Sequence, residues 1–156
     1  MKNLILVLTS VLSLSAFADI APNLYICSAG RSPAGRSTTE FGYSTDSIAG
    51  APTFYAVFEG EEAQLPPMPK IRTQTTILGT LVSVTDAHLS LVDGPTYHYS
   101  LLVPEIKLAK LFDEVEFESY AFRTSVINPF FHAMDVKLVN NTEAVKVQCT
   151  AKAVVF

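Results

Sequence analysis

His88 and His98 are the two residues of this chain whose type and spacing best suit a shared chemical task. They flank Asp93-Gly94-Pro95, the clearest hairpin signal in the sequence. With a three-residue loop, His88 falls opposite Ser100 and His98 opposite Ser90, so both imidazoles leave one face as diagonal neighbours. A metal would need a third ligand on that face, and a slip of one residue would send the two rings to opposite faces. Tyr97 and Tyr99 share a strand face with Leu101 and Val103, a row that either lines a ligand pocket or fills a core. His88, His98, Tyr97 and Tyr99 are therefore the candidate ligand-facing residues. His132, beside Phe130 and Phe131, reads as packed or partly exposed.

Asp113, Glu114, Glu116 and Glu118 form the densest acidic run. Glu116 and Glu118 share a strand face, as a glycosidase-like pair or a calcium site requires, but supporting residues are missing. An exposed charged face that discourages edge pairing is the reading of this run. There is no Gly-x-Ser-x-Gly turn, no Gly-rich loop leading into Lys-Ser or Lys-Thr, and no dinucleotide fingerprint. The expectation is a protein that is not an enzyme and carries no metal and no cofactor.

The remaining chemistry is that of two cysteines. Cys149 lies where Val145, Val147, Cys149, Ala151 and Ala153 alternate with Lys146, Gln148, Thr150 and Lys152, the period of a half-buried strand. Cys27 lies in a strand-like run over Asn23 to Ser28. A bond between them would tie the first strand to the last, worth about 4 to 5 kcal/mol in the chain-entropy account.

The compartment for such a bond is read from the first eighteen residues. Lys2, an apolar run from Leu4 to Phe17 and the small residues of Ala16-Phe17-Ala18 predict a signal peptide over 1–18, cleaved before Asp19. That run is shorter than the roughly twenty residues a membrane anchor needs. Residues 19–156 are then one domain, periplasmic or secreted, in an oxidising compartment where two cysteines pair. The whole chain carries 11 cations against 15 anions; without Lys2 ten remain against fifteen, a net charge of −5. With no basic patch, nucleic acid and an anionic membrane surface are excluded as partners.

The elements that must position these residues are strands. Residues 29–52 read as a long loop rich in Gly, Ser, Thr, Ala and Pro, with strand character only over Glu40 to Ser44. Thr53 to Glu59 predicts a strand buried on both faces, followed by an acidic connection through Pro66, Pro67 and Pro69. Ile71 to Val84 is the longest strand candidate, with Gly79 as a bulge. Glu105 to Phe112 is read as a short helix, and Glu114 to Ile127 as an alternating strand. Phe131 to Val139 and Ala144 to Val154 form a final hairpin around Asn140-Asn141-Thr142.

The chain ends on Phe156 after an alternating strand, and in this it resembles outer-membrane β-barrels. The resemblance covers one residue and part of a strand: the positions that should face lipid are Val154, Lys152, Thr150 and Gln148, and only Val154 is apolar. The predicted fold is all-β, a single antiparallel meander closing into a small flattened barrel, with a two-sheet sandwich as the alternative. The predicted function is an exported module that binds a small ligand or an envelope protein, using its interior or its loop-bearing end with the 29–52 loop. The alternative is a non-catalytic structural or inhibitory protein acting by surface contact.

Overall fold

The computed structural model describes residues 19–30, 38–47, 50–66, 69–86, 96–126 and 141–156. Period-two alternation becomes nine strands: β1 (Leu24–Ala29), β2 (Thr39–Ser44), β3 (Thr53–Phe58), β4 (Glu61–Glu62), β5 (Arg72–Thr76), β6 (Gly79–Thr85), β7 (Thr96–Val103), β8 (Glu114–Val126) and β9 (Asn141–Lys152). They form one antiparallel sheet in the order β4-β3-β2-β1-β9-β8-β7-β6-β5. Two meanders are thus joined where the first strand lies against the last, with Cys27 directly opposite Cys149. The two cysteines form a disulfide, 122 residues apart in sequence, and both are buried. Such a bond suggests an oxidising, extracytoplasmic environment. Residues 1–18, the predicted signal peptide, lie outside the described residues. Among the described residues, no helix is long and apolar enough to cross a membrane.

The sheet curls so that one face becomes the core. Tyr25, Cys27, Phe41, Phe54, Phe58, Val82, Leu101, Ala121, Val147 and Cys149 all point into it. Each fully buried Phe or Leu contributes roughly 1.5 to 3 kcal/mol. Closure by hydrogen bonds, as expected of a barrel, does not occur: the edge strands β4 and β5 are not paired. The reason lies in the connection between them. β4 has two residues, and the described residues that follow include Pro66 and Pro69, which have no N–H to donate, with Ala63 buried and Leu65 and Ile71 packed on the core.

Several local expectations are corrected. Ile71 to Val84 is a hairpin, β5 and β6, reversed at Ile77-Leu78. Dense β-branched residues report strand propensity, and they conceal a turn that lacks Asn-Gly. β3 is buried on one face, with Tyr55 exposed on the other, because among the described residues no element covers the outside of the single sheet there. Glu105 to Phe112 contains no helix: Leu108 pairs with Ile20 through hydrogen bonds of 2.9 and 3.0 Å, and Phe112 adopts φ 66°. β9 pairs along its length with β8, from Ser125 opposite Asn141 to Glu114 opposite Lys152. The expected hairpin of β9 with Phe131 to Val139 lies outside the described residues. β8 is also central, so its exposed carboxylates do not guard an edge. They pair across to β9, as Glu118 with Lys146 and Glu114 with Lys152.

Candidate functional site

The meander brings the start of β1, the β2–β3 connection, the β5–β6 turn, the β7–β8 connection and the end of β9 to one end of the curled sheet. We call it the cleft end, because the interior opens there into a cleft of about 610 Å³. That size suits a small ligand. Tyr25 on β1 and Tyr43 on β2 face each other in register, with ring centroids 5.9 Å apart and planes 17° from parallel. Val82, Val103 and Ile106 form the apolar wall, and Thr45, Thr75 and Thr80 supply hydroxyls. Among the described residues, Glu105 is the single charged residue in the lining. Burial raises the pKa of Tyr25, with Tyr43 adding to the effect, and burial raises that of Tyr43, so both phenols stay neutral. The Tyr25 hydroxyl donates to the carbonyl of Pro22 at 3.4 Å.

Gly79 lies in the lining of this cleft. At φ 136° it carries the chain out of the β5–β6 turn close to β7; an added Cβ would lie 2.3 Å from the Val103 carbonyl oxygen. Neither Ile77 nor Leu78 has a positive φ, so the reversal is not a primed hairpin turn. Instead the Thr76 hydroxyl accepts from the Leu78 N–H at 3.2 Å and donates to the Gly79 carbonyl at 2.8 Å.

The opposite end is latched. Arg123 occupies an inward position of β8 and reaches across the interior to the β3–β4 turn. Its guanidinium bonds Glu143 at 2.7 Å and Glu61 at 2.8 Å, and lies 3.8 Å from Glu59. It also stacks over Phe58 at 4.7 Å and over Tyr97 at 5.2 Å. Only 11 % of the side chain is exposed. Burial alone would lower its pKa, but the hydrogen bond to Glu143 and the charges of Glu143 and Glu61 outweigh this and raise it. This ionic clamp holds the β4 side against β8 where backbone pairing does not close the sheet.

The four candidate ligand-facing residues separate. Tyr97 and Tyr99 face inward at the latched end, away from the cleft. Burial, followed by the charge of Asp86, pushes the Tyr99 phenol up to about 12. His98 points to the outer face, where its Nδ1 lies 2.9 Å from the Thr85 hydroxyl. Its cross-strand partner on β6 is Thr85, not Ser90, because the reversal at Ile77-Leu78 places Gly79–Thr85 alongside β7. Burial, then Arg72, lowers the His98 pKa. His88 and His132 lie outside the described residues. Among the described residues, no group of three His, Cys, Asp or Glu is placed to hold a metal.

Within the 29–52 segment the described residues form β2, and Thr45 just after it lines the cleft; residues 31–37 and 48–49 lie outside the described residues. Tyr25 and Tyr43 have no local signature that marks them as a site; they are aromatic residues at core positions. Arg123 did have one, a cation in register with Val115, Phe117 and Ala121 on an apolar face. Comparison with models of known families, with curated proteins and with solved structures finds no match to this chain.

Proposed function

We propose that this is an exported, non-catalytic binding module that holds a small, largely apolar ligand without negative charge in the cleft over Tyr25 and Tyr43. One observation carries the reading. The sheet is latched at one end by Arg123 and open at the other, where aromatic and aliphatic side chains with several threonines line an open cleft of about 610 Å³. An anionic ligand is disfavoured because, among the described residues, the lining offers Glu105 and no cation. Catalysis is not part of the proposal, since among the described residues the lining holds neither a histidine nor a cysteine and has one carboxylate.

Native mass spectrometry of the exported, oxidised protein tests this. A retained non-covalent mass that is lost in Tyr43→Ala supports the cleft. A bare monomer, with no ligand taken up from an extract of the exporting cells, would sink the proposal. A protein that acts by surface contact is the second reading, favoured by the exposed Ile77, Leu78 and Phe112.

A further inference from the structure

The two edges of the open sheet are built differently. β4 is blunted: it has two residues, both glutamates, Glu61 is drawn inward to Arg123, and Pro66 and Pro69 follow. Short length, charge and proline are devices that keep an edge from pairing with another chain. β5 has five residues, Arg72-Thr73-Gln74-Thr75-Thr76, without proline, and its register against β6 is unbroken from Arg72 opposite Ser83 to Thr76 opposite Gly79. Its threonines favour an extended chain, and its one charge, Arg72, stands at the start. All five residues are exposed, including Thr73 and Thr75 on the face that turns toward the cleft, so the strand projects beyond the core. Among the described residues, no strand pairs with its outer edge. The turn decides which backbone groups that edge offers. Thr76 and Gly79 close a two-residue reversal and bond to each other, and antiparallel bonding alternates from there. Gln74 and Arg72 therefore direct their N–H and C=O groups to β6, while Thr73 and Thr75 direct theirs outward.

We propose that β5 is a self-pairing edge, which joins two copies of this chain antiparallel about a two-fold axis between their Gln74 residues. The residues of the edge select a second copy over another extended chain. Thr73-Gln74-Thr75 reads the same in both directions, so an inverted copy brings Thr73 opposite Thr75 and Gln74 opposite Gln74. The outward-bonding residues of one copy then meet those of the other, and each Thr73–Thr75 pair exchanges both of its N–H to C=O bonds. Threonine opposite threonine is a favourable cross-strand pair. A glutamine amide both donates and accepts, so it complements its own image. The same register sets Arg72 opposite Thr76, with no like charges paired, and carries the wholly exposed Ile77 alongside Ile71 of the second copy. A contact of five residues a side falls short of the roughly 800 Å² per partner of a stable interface, so the dimer forms and dissociates with concentration. The pairing does not rest on the cleft holding a ligand.

The test is sedimentation equilibrium of the exported, oxidised protein over a range of concentrations. The mean mass should rise from monomer toward dimer, and the amides of Thr73 and Thr75 should gain protection from hydrogen exchange as it does. Thr73→Pro removes an outward N–H without touching the bonds to β6, a change that an edge strand tolerates, and should weaken the dimer by about tenfold or more. Gln74→Lys and Gln74→Glu each set like charges opposite one another and should weaken it too, while an equimolar mixture of the two should restore a heterodimer. These variants carry the test if Thr73→Pro does not fold. A protein that stays monomeric at its highest soluble concentration would overturn the proposal. So would a dimer indifferent to Thr73→Pro or to the charges at position 74, or pairing of β5 only with an extended segment of a different protein.

Discussion

Removing the disulfide offers the sharpest test of how this fold is held together. Cys27 and Cys149 lie on adjacent strands that are 122 residues apart in sequence. Cutting the link returns to the unfolded chain the freedom of a loop of that length. In the chain-entropy account the cost is about 5 kcal/mol at 25 °C. The variant should be Cys27→Ala with Cys149→Ala, because serine would bury hydroxyls without partners and confound the measurement. Folding itself should survive. β1 keeps its register on both neighbours, and Asn23 still donates to the Val154 carbonyl at 2.7 Å and accepts from the Val154 N–H at 2.8 Å. With an unfolding entropy of about 0.29 kcal/mol/K for a domain of this size, the loss corresponds to a fall in Tm of about 17 °C. Urea unfolding followed by tyrosine fluorescence is the assay, since the chain contains no tryptophan. The midpoint should fall while the m-value rises, because an uncrosslinked denatured chain exposes more surface. A loss below about 2 kcal/mol with an unchanged m-value would refute the loop-entropy reasoning and assign the closure to strand pairing alone.

Other outcomes follow from the latch, the turn and the buried phenols. Arg123→Met keeps the packing against Phe58 and Tyr97 but leaves Glu143, Glu61 and Glu59 unopposed; with those carboxylates partly exposed, the expected loss is about 2 to 3 kcal/mol by urea unfolding, and a loss under 0.5 kcal/mol would deny the latch. Gly79→Ala forces a Cβ against the Val103 carbonyl and should cost about 2 kcal/mol or more, where an ordinary exposed Gly→Ala change costs little; thermal unfolding decides. Tyr99, raised to about 12, favours the neutral phenol when folded, so its contribution is intact below pH 10 and is lost as pH rises from 10 through 12. Ultraviolet titration of the folded protein should show a phenol whose midpoint lies near 12. His98 is shifted downward, so the folded state prefers the neutral ring; stability is intact above pH 6.5 and declines as pH falls below it, and an NMR titration midpoint at or above 6.5 would contradict the packing against Thr85.

Much of this fold was legible in the residue order. Alternation reports local geometry, since side chains on a strand point to opposite faces whatever the partner, and it located β1, β2, β3, β7, β8 and β9 with small errors at their ends. It also placed Val147 and Cys149 in the core, with Val145 packed against it, and put Cys27 and Cys149 on strands that pair. Alternation carries no information on how many turns interrupt an apolar run, so β5 and β6 appeared as one strand. Nor does it say which strands are neighbours. Glu114 to Glu118 were assigned to an edge, because pairing is settled by contacts far apart in sequence. The closing of the sheet depended on a similar balance. Paired edges were expected of a meander, but the proline connection withholds donors and Arg123 supplies an ionic latch in their place.

What the sequence alone determined is the strand content, the disulfide partners and the absence of familiar catalytic motifs, since these depend on residue type and short-range period. Only the tertiary structure decided that Tyr25 meets Tyr43 at an open end, that Arg123 reaches Glu61 and Glu143, and that Ile77, Phe112 and Phe156 come to the same end of the sheet. Those are relations among residues far apart in sequence that follow from the curl and register of the whole sheet, for which no local pattern exists.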